Sequence, residues 1–151
     1  MTDIVVRDAT ADDLEHLLGI EQAFRNEGAP EWSIMRREIF EFKVRAGSLI
    51  VAQLDGRLVG YIMWTLFWGF PFVEYARVLP DHRNRGIGTQ MLQSLARDTA
   101  ARGHERLWSS TSDADALRWH ERNGFERVGE IEWIWGRAHE TVLIKPLDRL
   151  T

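Results

Sequence analysis

A glycine-rich turn between a predicted strand and a predicted helix is the part of the chain best suited to bind an anion. Its sequence is Arg83-Asn84-Arg85-Gly86-Ile87-Gly88-Thr89, and Pro80 ends the strand before it because proline has no amide hydrogen to donate. The first amides of a helix have no intrahelical acceptor and lie at the positive end of its dipole. Glycine at two positions lets a ligand come close to this backbone. The turn is therefore predicted to hold a diphosphate.

The spacing of these glycines excludes two common nucleotide-binding loops. The chain has no Gly-x-x-x-x-Gly-Lys-Ser/Thr, and no Gly-x-Gly-x-x-Gly followed by a strand and an acidic residue. Instead, Arg83-x-x-Gly86-x-Gly88, with Val78-x-Pro80 before it, resembles the acetyl-coenzyme A loop of the GNAT superfamily of N-acetyltransferases. The family pattern is Gln/Arg-x-x-Gly-x-Gly/Ala. Glycine-rich turns also occur for packing reasons alone, so the resemblance needs a second motif.

That second motif lies in residues 112–125. Asp113-x-x-Ala116-x-x-Trp119-His120-x-x-x-Gly124-Phe125 is similar to the family's Asn-x-x-Ala-x-x-Leu/Phe-Tyr-x-x-x-Gly-Phe. Two positions depart from the pattern, because aspartate replaces the asparagine and histidine replaces the tyrosine. Ser112, with Asp115 three residues on, predicts the helix cap, and Asn123-Gly124 predicts the helix end. Two motifs in the family's order identify the chain as a member.

The elements that must position these motifs alternate along the chain. The pattern predicts strands at 4–7, 48–54, 57–67, 70–78, 106–110, 126–135 and 139–144, and helices at 10–24, 33–44, from 87, and from 113. By itself this order indicates an α/β mixed sheet with helices on its faces. The resemblance implies a mixed, mostly antiparallel central sheet of about seven strands flanked by about four helices. The whole chain, 1–151, is predicted to be a single domain.

Composition narrows the functional class. The chain has no cysteine, which excludes a disulfide framework, a thiol nucleophile and a thiolate metal site. Its net charge of -4 argues against nucleic acid as a partner. No apolar stretch approaches the roughly 20 residues of a membrane helix, and the first residues do not resemble a targeting signal. His16, His82, His104 and His139 show no ligand spacing. We therefore predict a cytoplasmic protein that binds no metal, nucleic acid or membrane.

The resemblance implies that a free amine attacks the thioester of acetyl-coenzyme A through a tetrahedral oxyanion. Such chemistry needs deprotonation of the amine, stabilisation of the oxyanion, protonation of the thiolate and close positioning. By resemblance, the backbone of Arg77, Val78 and Leu79 contacts the pantetheine, and an amide near Val78 donates to the oxyanion. The remaining cofactor contacts are assigned to Arg83, Asn84, Arg85, Gly86, Ile87, Gly88, Thr89 and Asp113, although Asp113 also suits a helix cap.

Two residues are candidates for proton transfer. Glu74 shares a strand face with Val78 and is surrounded in sequence by aromatic residues, which suits a base that accepts the amine proton directly or through water. It would equally suit an anchor for a cationic amine, or an ordinary solvent-facing strand residue. His120 takes the place of the family's tyrosine and is predicted to protonate the thiolate, since imidazole has a pKa of about 6.5. The alternative is that His120 only closes the helix surface beside Trp119.

Aromatic residues suggest the acceptor. Trp64, Trp68 and Phe70 lie at the hairpin leading into the Glu74 strand, and Trp32 precedes the second helix. These four are predicted to bind a small apolar or cationic amine by stacking or cation-π contact, although strand aromatics also serve cores and dimer interfaces. Trp133 and Trp135 share one strand face and suggest an association surface, hence a homodimer. A protein N-terminal or lysine acetyltransferase and a non-catalytic acyl-coenzyme A sensor remain alternatives.

Overall fold

The computed structural model describes residues 3–132 and 139–148. The strands are β1 (Ile4–Asp8), β2 (Leu49–Leu54), β3 (Arg57–Phe67), β4 (Phe70–Val78), β5 (Arg106–Thr111), β6 (Glu126–Glu132) and β7 (His139–Pro146). The helices are α1 (Leu14–Asn26), α2 (Arg37–Ala46), α3 (Ile87–Ala101) and α4 (Ala114–Arg122), with 3₁₀ turns at Ala11–Asp13, Glu31–Ser33 and Pro80–His82.

The strands form a seven-stranded sheet in the order β1-β2-β3-β4-β5-β7-β6. β4 and β5 run parallel, whereas the pairs β1–β2, β2–β3, β5–β7 and β6–β7 are antiparallel. The predicted fold class, an α/β protein with a mostly antiparallel sheet of seven strands and four helices, is confirmed.

The chain divides into two compact units. The first comprises residues 3–63 and 75–95, and the second comprises residues 64–74, 96–132 and 139–148. β3, β4 and α3 each continue from one unit into the other, and β4 does so between Glu74 and Tyr75. A single domain over 1–151 stays a prediction.

The core of the first unit is formed by α1, α2 and the strands that follow them. Leu17, Phe40 and Tyr61 are fully buried in it, and the Phe40 and Tyr61 rings meet edge to face at 5.4 Å. Ile20 and Glu21 are buried on the same helix as Leu17, which is the 3.6-residue spacing of one helix face. Glu21 is therefore a carboxylate buried beside apolar core residues, and it requires hydrogen-bonding or charged partners.

Capping residues set the helix starts, and three details of the predicted starts are corrected. Thr10 and Asp13 form the predicted capping box, but a 3₁₀ turn precedes α1, which begins at Leu14. α2 begins at Arg37 and not at residue 33, because residues 31–33 form a separate 3₁₀ turn. Of the two predicted caps of α4, Asp113 is the one observed and Ser112 is corrected, since the Asp113 carboxylate accepts from the amide of Ala116 at 2.8 Å.

Both predicted hairpin turns around β3 have two residues. Asp55 and Gly56 have φ of 54° and 76°, and Trp68 and Gly69 have φ of 53° and 78°, so both turns use left-handed conformations that match strand twist. Glycine suits this region, but a bulky tryptophan there is unusual. The predicted end of the sixth strand, with the proposed association residues Trp133 and Trp135, lies outside the described residues.

Candidate active site

The glycine-rich turn is open and uses left-handed backbone. It follows the 3₁₀ turn Pro80–His82 and leads into α3, and Asn84 and Gly86 have φ of 63° and 77°. A Cβ built on Gly86 would meet no atom within 4 Å, so the space in front of it is open. Alternating handedness beside a helix N-terminus turns several amides toward one point, which suits an anion. The geometry fits the predicted diphosphate site.

Arg83, at the start of this turn, has partners that the sequence did not reveal. Its guanidinium pairs with the Glu27 carboxylate at 2.9 Å, and its Cζ lies 5.1 Å from the centre of the Phe24 ring. Both charged side chains are half exposed. The turn is thus tied to the C-terminal end of α1 by an ion pair that a phosphate would compete with.

β4 approaches β3 closely just before the turn. The amide of Leu79 donates to the Val59 carbonyl at 2.8 Å, and a Cβ on Gly60 would lie 2.8 Å from the Arg77 carbonyl oxygen. Only glycine at position 60 fits this approach without a shift of backbone. The Leu79 amide hydrogen is thus used within the sheet, and the predicted contact of the Leu79 backbone with a cofactor stays a prediction that would use its carbonyl oxygen.

The Arg77 side chain is buried, which was not predicted. It donates from Nη1 to both oxygens of the Glu21 carboxylate at 3.2 Å, and from Nη2 to the Ser33 carbonyl at 2.9 Å. Glu21 also accepts from the Tyr61 hydroxyl at 2.9 Å and from the Met35 amide at 2.7 Å. Burial, with the neighbouring Glu21 carboxylate, raises the pKa of Tyr61 well above its ordinary value, so the phenol stays protonated.

Glu74 lies on the more accessible face of β4. Val73 and Arg77 point to the buried side, whereas Phe72 and Glu74 are partly exposed. Sequence alternation placed Glu74 on one strand face with Ala76 and Val78 but did not say which face was buried. The pairing recorded between β4 and β5 joins Phe72 to Trp108 and Val73 to Ser109, directly before Glu74.

An aromatic cluster surrounds the β3–β4 hairpin. The Phe67 and Trp68 rings are stacked, with their centres 5.3 Å apart. The centre of the Trp108 ring, on β5, lies 6.1, 6.2 and 6.4 Å from the ring centres of Phe67, Trp68 and Phe70. Trp108 was not singled out from the sequence, since its place depends on the pairing of β5 with β4. Its buried indole N–H has no partner in the described part of the chain.

The four predicted acceptor-binding residues differ in exposure. Trp68 is 79% exposed and Trp32 is 67% exposed, so both side chains are open to a ligand. Phe70 is partly buried, with the Arg106 guanidinium 5.0 Å from its ring. Trp64 is only 8% exposed and belongs to the core. Its assignment to the acceptor site is therefore corrected to the core alternative.

His120 uses both ring nitrogens in internal hydrogen bonds. Nδ1 lies 2.6 Å from the Ala116 carbonyl, which can only accept, so Nδ1 carries the proton. Nε2 then accepts from the Ser109 hydroxyl at 2.7 Å. Burial lowers the pKa of His120, which keeps the ring neutral. A neutral ring with no spare proton does not suit an acid, and the hydrogen bonds favour the structural alternative.

The family assignment follows from comparison with known proteins. The model of the acetyltransferase (GNAT) family matches residues 13–125. This range includes Glu21 of α1, strand β4, the glycine-rich turn and the motif at residues 113–125. The chain belongs to the GNAT family. It is an N-acetyltransferase, as both sequence motifs predict.

Two relatives and one solved structure show how far the likeness extends. The S-(2-succino)cysteine N-acetyltransferase of Bacillus subtilis is 29% identical over 113 residues, which cover 68% of this chain and 67% of the relative. The N-alpha-acetyltransferase of Sulfurisphaera tokodaii is 24% identical over 154 residues, which cover 92% of this chain and 90% of the relative. The PaiA N-acetyltransferase of Thermoplasma acidophilum, solved with coenzyme A, has a TM-score of 0.80 at 14% identity over 95% of this chain and 99% of that one.

In this GNAT chain the histidine that replaces the family's tyrosine links α4 to β5. Replacing His120 with Phe would leave the buried Ser109 hydroxyl without its acceptor and would remove the side-chain donor from the part-buried Ala116 carbonyl. The variant is expected to lose about 1–3 kcal/mol of unfolding free energy and to keep its kcat per folded molecule. Urea unfolding and steady-state kinetics check this. Loss of turnover at unchanged stability would restore the acid assignment.

The pH dependence of stability offers a second test of His120. Its folded pKa lies below the ordinary 6.5, so protonation favours the unfolded chain. This contribution to stability is complete above pH 6.5 and falls as the pH drops below that value. We expect the difference in unfolding free energy between the protein and His120→Phe to shrink between pH 7.5 and 5.5. A constant difference would contradict a buried neutral imidazole.

Neither a metal site nor a membrane span emerges from the described residues. In 3–132 and 139–148, no three His, Asp or Glu side chains are grouped so as to hold a metal ion. Within the same ranges, no helix is both long and apolar enough to cross a membrane.

Proposed function

We propose that this GNAT protein transfers the acetyl group of acetyl-coenzyme A to the primary amine of a small molecule, by direct attack through a tetrahedral intermediate. The observation that carries the proposal is the open turn at Gly86, which presents left-handed backbone and helix amides between the 3₁₀ turn that follows β4 and the start of α3. The likeness to a fold neighbour solved with coenzyme A supports this cofactor.

The cofactor is proposed to bind along β4 and the turn. The backbone of Arg77 and Val78 contacts the pantetheine, and the Val78 amide is the oxyanion donor. Amides of residues 84–89 hold the pyrophosphate, with the Arg83 and Arg85 guanidiniums adding charge. Asp113 is less suited to this role, since its carboxylate already accepts from the Ala116 amide.

Glu74 is proposed as the base. It lies four residues before Val78 on the accessible face of the same strand, so the proton acceptor and the oxyanion donor share one element. Because His120 has no free ring proton, we assign protonation of the leaving thiolate to no side chain. The proton released from the amine, or one from solvent, serves that step.

The acceptor is proposed to be a small amine with an apolar or cationic body. The exposed ring of Trp32 in the first unit offers one face for stacking or cation-π contact, and the exposed Trp68 with Phe70 in the second unit offers another, each considered by itself. A protein N-terminal amine is the second candidate, since a relative covering 92% of this chain is named as an N-alpha-acetyltransferase. A cytoplasmic location and a homodimer are retained as proposals, and light scattering in solution tests the second.

A thiol-release screen distinguishes the acceptor classes. Purified protein and acetyl-coenzyme A are incubated with polyamines, amino acids, aminoglycosides, and peptides bearing either a free N-terminus or a lysine. We expect the highest kcat/KM with one class of small amine. A higher value with the free-N-terminus peptide would favour the second candidate, and coenzyme binding without release from any amine would favour a sensor.

The Glu27–Arg83 ion pair predicts a gain of coenzyme affinity on mutation. Replacing Glu27 with Gln frees the Arg83 guanidinium for phosphate, and exposed pairs are worth about 0.2–1 kcal/mol. The dissociation constant of acetyl-coenzyme A is therefore expected to fall by up to about fivefold at low salt, and less at high salt. Calorimetric titration measures this.

Glu31→Gln is the matched control, because Glu31 pairs with Arg25 at 2.8 Å, a pair that is also solvent-exposed and includes no residue of the glycine-rich turn. That variant is expected to bind acetyl-coenzyme A as the unaltered protein does. Weaker binding by Glu27→Gln would show instead that the ion pair holds the turn in its binding conformation.

A further inference from the structure

The buried Arg77–Glu21 ion pair forms hydrogen bonds with two backbone groups of the segment 33–35. Arg77 donates to the Ser33 carbonyl at 2.9 Å, and Glu21 accepts from the Met35 amide at 2.7 Å, while the two side chains pair with each other at 3.2 Å. Arg77 is 8% exposed and Glu21 2% exposed in their side chains. The two backbone groups thus depend on the two partners of one ion pair.

The residue before Ser33 carries an exposed aromatic side chain. Ser33 also ties itself back to the Pro30 carbonyl, through its hydroxyl at 2.7 Å and its amide at 2.9 Å, which closes the 3₁₀ turn Glu31–Ser33. Trp32 lies in this turn and is 67% exposed. A large apolar ring held toward solvent on a fixed turn is suited to contact a ligand.

The ion pair is anchored to the strand that is proposed to hold the cofactor. Arg77 precedes Val78 in β4, and its guanidinium stacks 4.5 Å from the centre of the Phe24 ring of α1. The Tyr61 hydroxyl donates to Glu21 from β3. The backbone at Val78 and the turn bearing Trp32 are therefore joined by one hydrogen-bonded network.

Stability alone does not explain this arrangement. Well-packed apolar residues of similar volume often replace a buried ion pair without loss of stability. What apolar residues lack is a planar fork that donates to a carboxylate and a backbone carbonyl at once. The network therefore supplies position more than stability.

We propose that Arg77 is a positioning residue for the acceptor amine: through Glu21 and the Ser33 carbonyl, it fixes the Trp32 turn relative to β4. The inference rests on the proposed function, in which Trp32 contacts the acceptor. The Arg77 side chain contacts neither substrate, so its loss acts through the turn and leaves the cofactor-binding backbone in place.

The test separates positioning from folding with a neutral double variant. Glu21→Gln with Arg77→Met removes both charges. The glutamine oxygen can still accept from the Met35 amide, and its NH2 can donate to the Tyr61 hydroxyl oxygen, but the Ser33 carbonyl is left without its Arg77 donor. Arg77→Lys keeps the charge and loses the fork. The matched control is Arg7→Met with Asp13→Asn, which removes another ion pair of the same unit, at 2.8 Å.

The double variant is expected to recover most of the urea midpoint that Arg77→Met alone loses. Its kcat/KM for the amine is expected to stay about tenfold to a hundredfold low, because displaced contacts of about 1 Å cost rate on that scale. Its dissociation constant for acetyl-coenzyme A is expected to stay within about twofold of the original. Arg77→Lys is expected to show the same split, and the control none.

Recovery of both the urea midpoint and the amine kinetics would overturn the proposal, and so would a parallel loss of acetyl-coenzyme A affinity. If the unaltered protein acetylates no amine, the proposed function fails, but the positioning role of Arg77 is still testable. Amide hydrogen exchange over residues 31–35 then tests that role. There the positioning role predicts faster exchange in the double variant, with no change in the control. Unchanged exchange in the double variant would also overturn it.

Discussion

Replacing Gly86 with valine is expected to weaken binding of acetyl-coenzyme A at least about a hundredfold. Gly86 has φ of 77°, and the space a Cβ would enter is open in the structure. Valine would fill the space proposed for the pyrophosphate and would strain the left-handed backbone whose amides point at it. Calorimetric titration with acetyl-coenzyme A measures the loss.

Gly56→Val is the matched control for backbone strain. Gly56 has φ of 76°, and its Cβ position is equally open, but it lies in the β2–β3 turn. Both variants are expected to lose about 1–2 kcal/mol of stability, and only Gly86→Val is expected to lose the cofactor. Retained binding by Gly86→Val, or equal loss in both, would remove the basis for placing the cofactor at this turn.

Replacing Glu74 with Gln is expected to lower kcat about a hundredfold or more, with little change in the dissociation constant of acetyl-coenzyme A. The amide keeps the size of the side chain but cannot accept the amine proton. Part of the lost rate should return as the pH is raised, because more of the amine is then already deprotonated. Steady-state kinetics across pH, on the best amine from the screen, check this.

Glu126→Gln serves as the control, because Glu126 is an exposed strand glutamate in β6. It is expected to leave kcat unchanged. A raised KM for cationic amines with an unchanged kcat in Glu74→Gln would assign Glu74 to anchoring the amine, and unchanged constants would make it an ordinary surface residue.

Features set by local chemistry were predictable from the sequence. The two-residue turn at Asp55-Gly56, the end of β4 before Pro80 and the glycine-rich entry to α3 all follow from backbone preferences of glycine and proline. The order of the elements followed from these signals and the hydrophobic periodicity, which indicate an α/β mixed sheet. The GNAT fold was implied by the resemblance of the two motifs to that family.

Features set by long-range pairing were not predictable. Arg77 and Glu21 lie 56 positions apart, and only the packing of α1 against β4 makes them partners. Trp108 enters the aromatic cluster through the register of β5 with β4. His120 illustrates the limit most clearly, because its motif position suggests an acid, whereas contacts with Ser109 and Ala116 occupy both ring nitrogens.

Calorimetric titration of the protein with acetyl-coenzyme A, followed in the same sample by thiol release on adding amines, tests the central claim most directly. We expect saturable binding at one site, followed by stoichiometric release of coenzyme A thiol with one class of amine. Absence of binding would contradict the assignment of the Gly86 turn as a cofactor site.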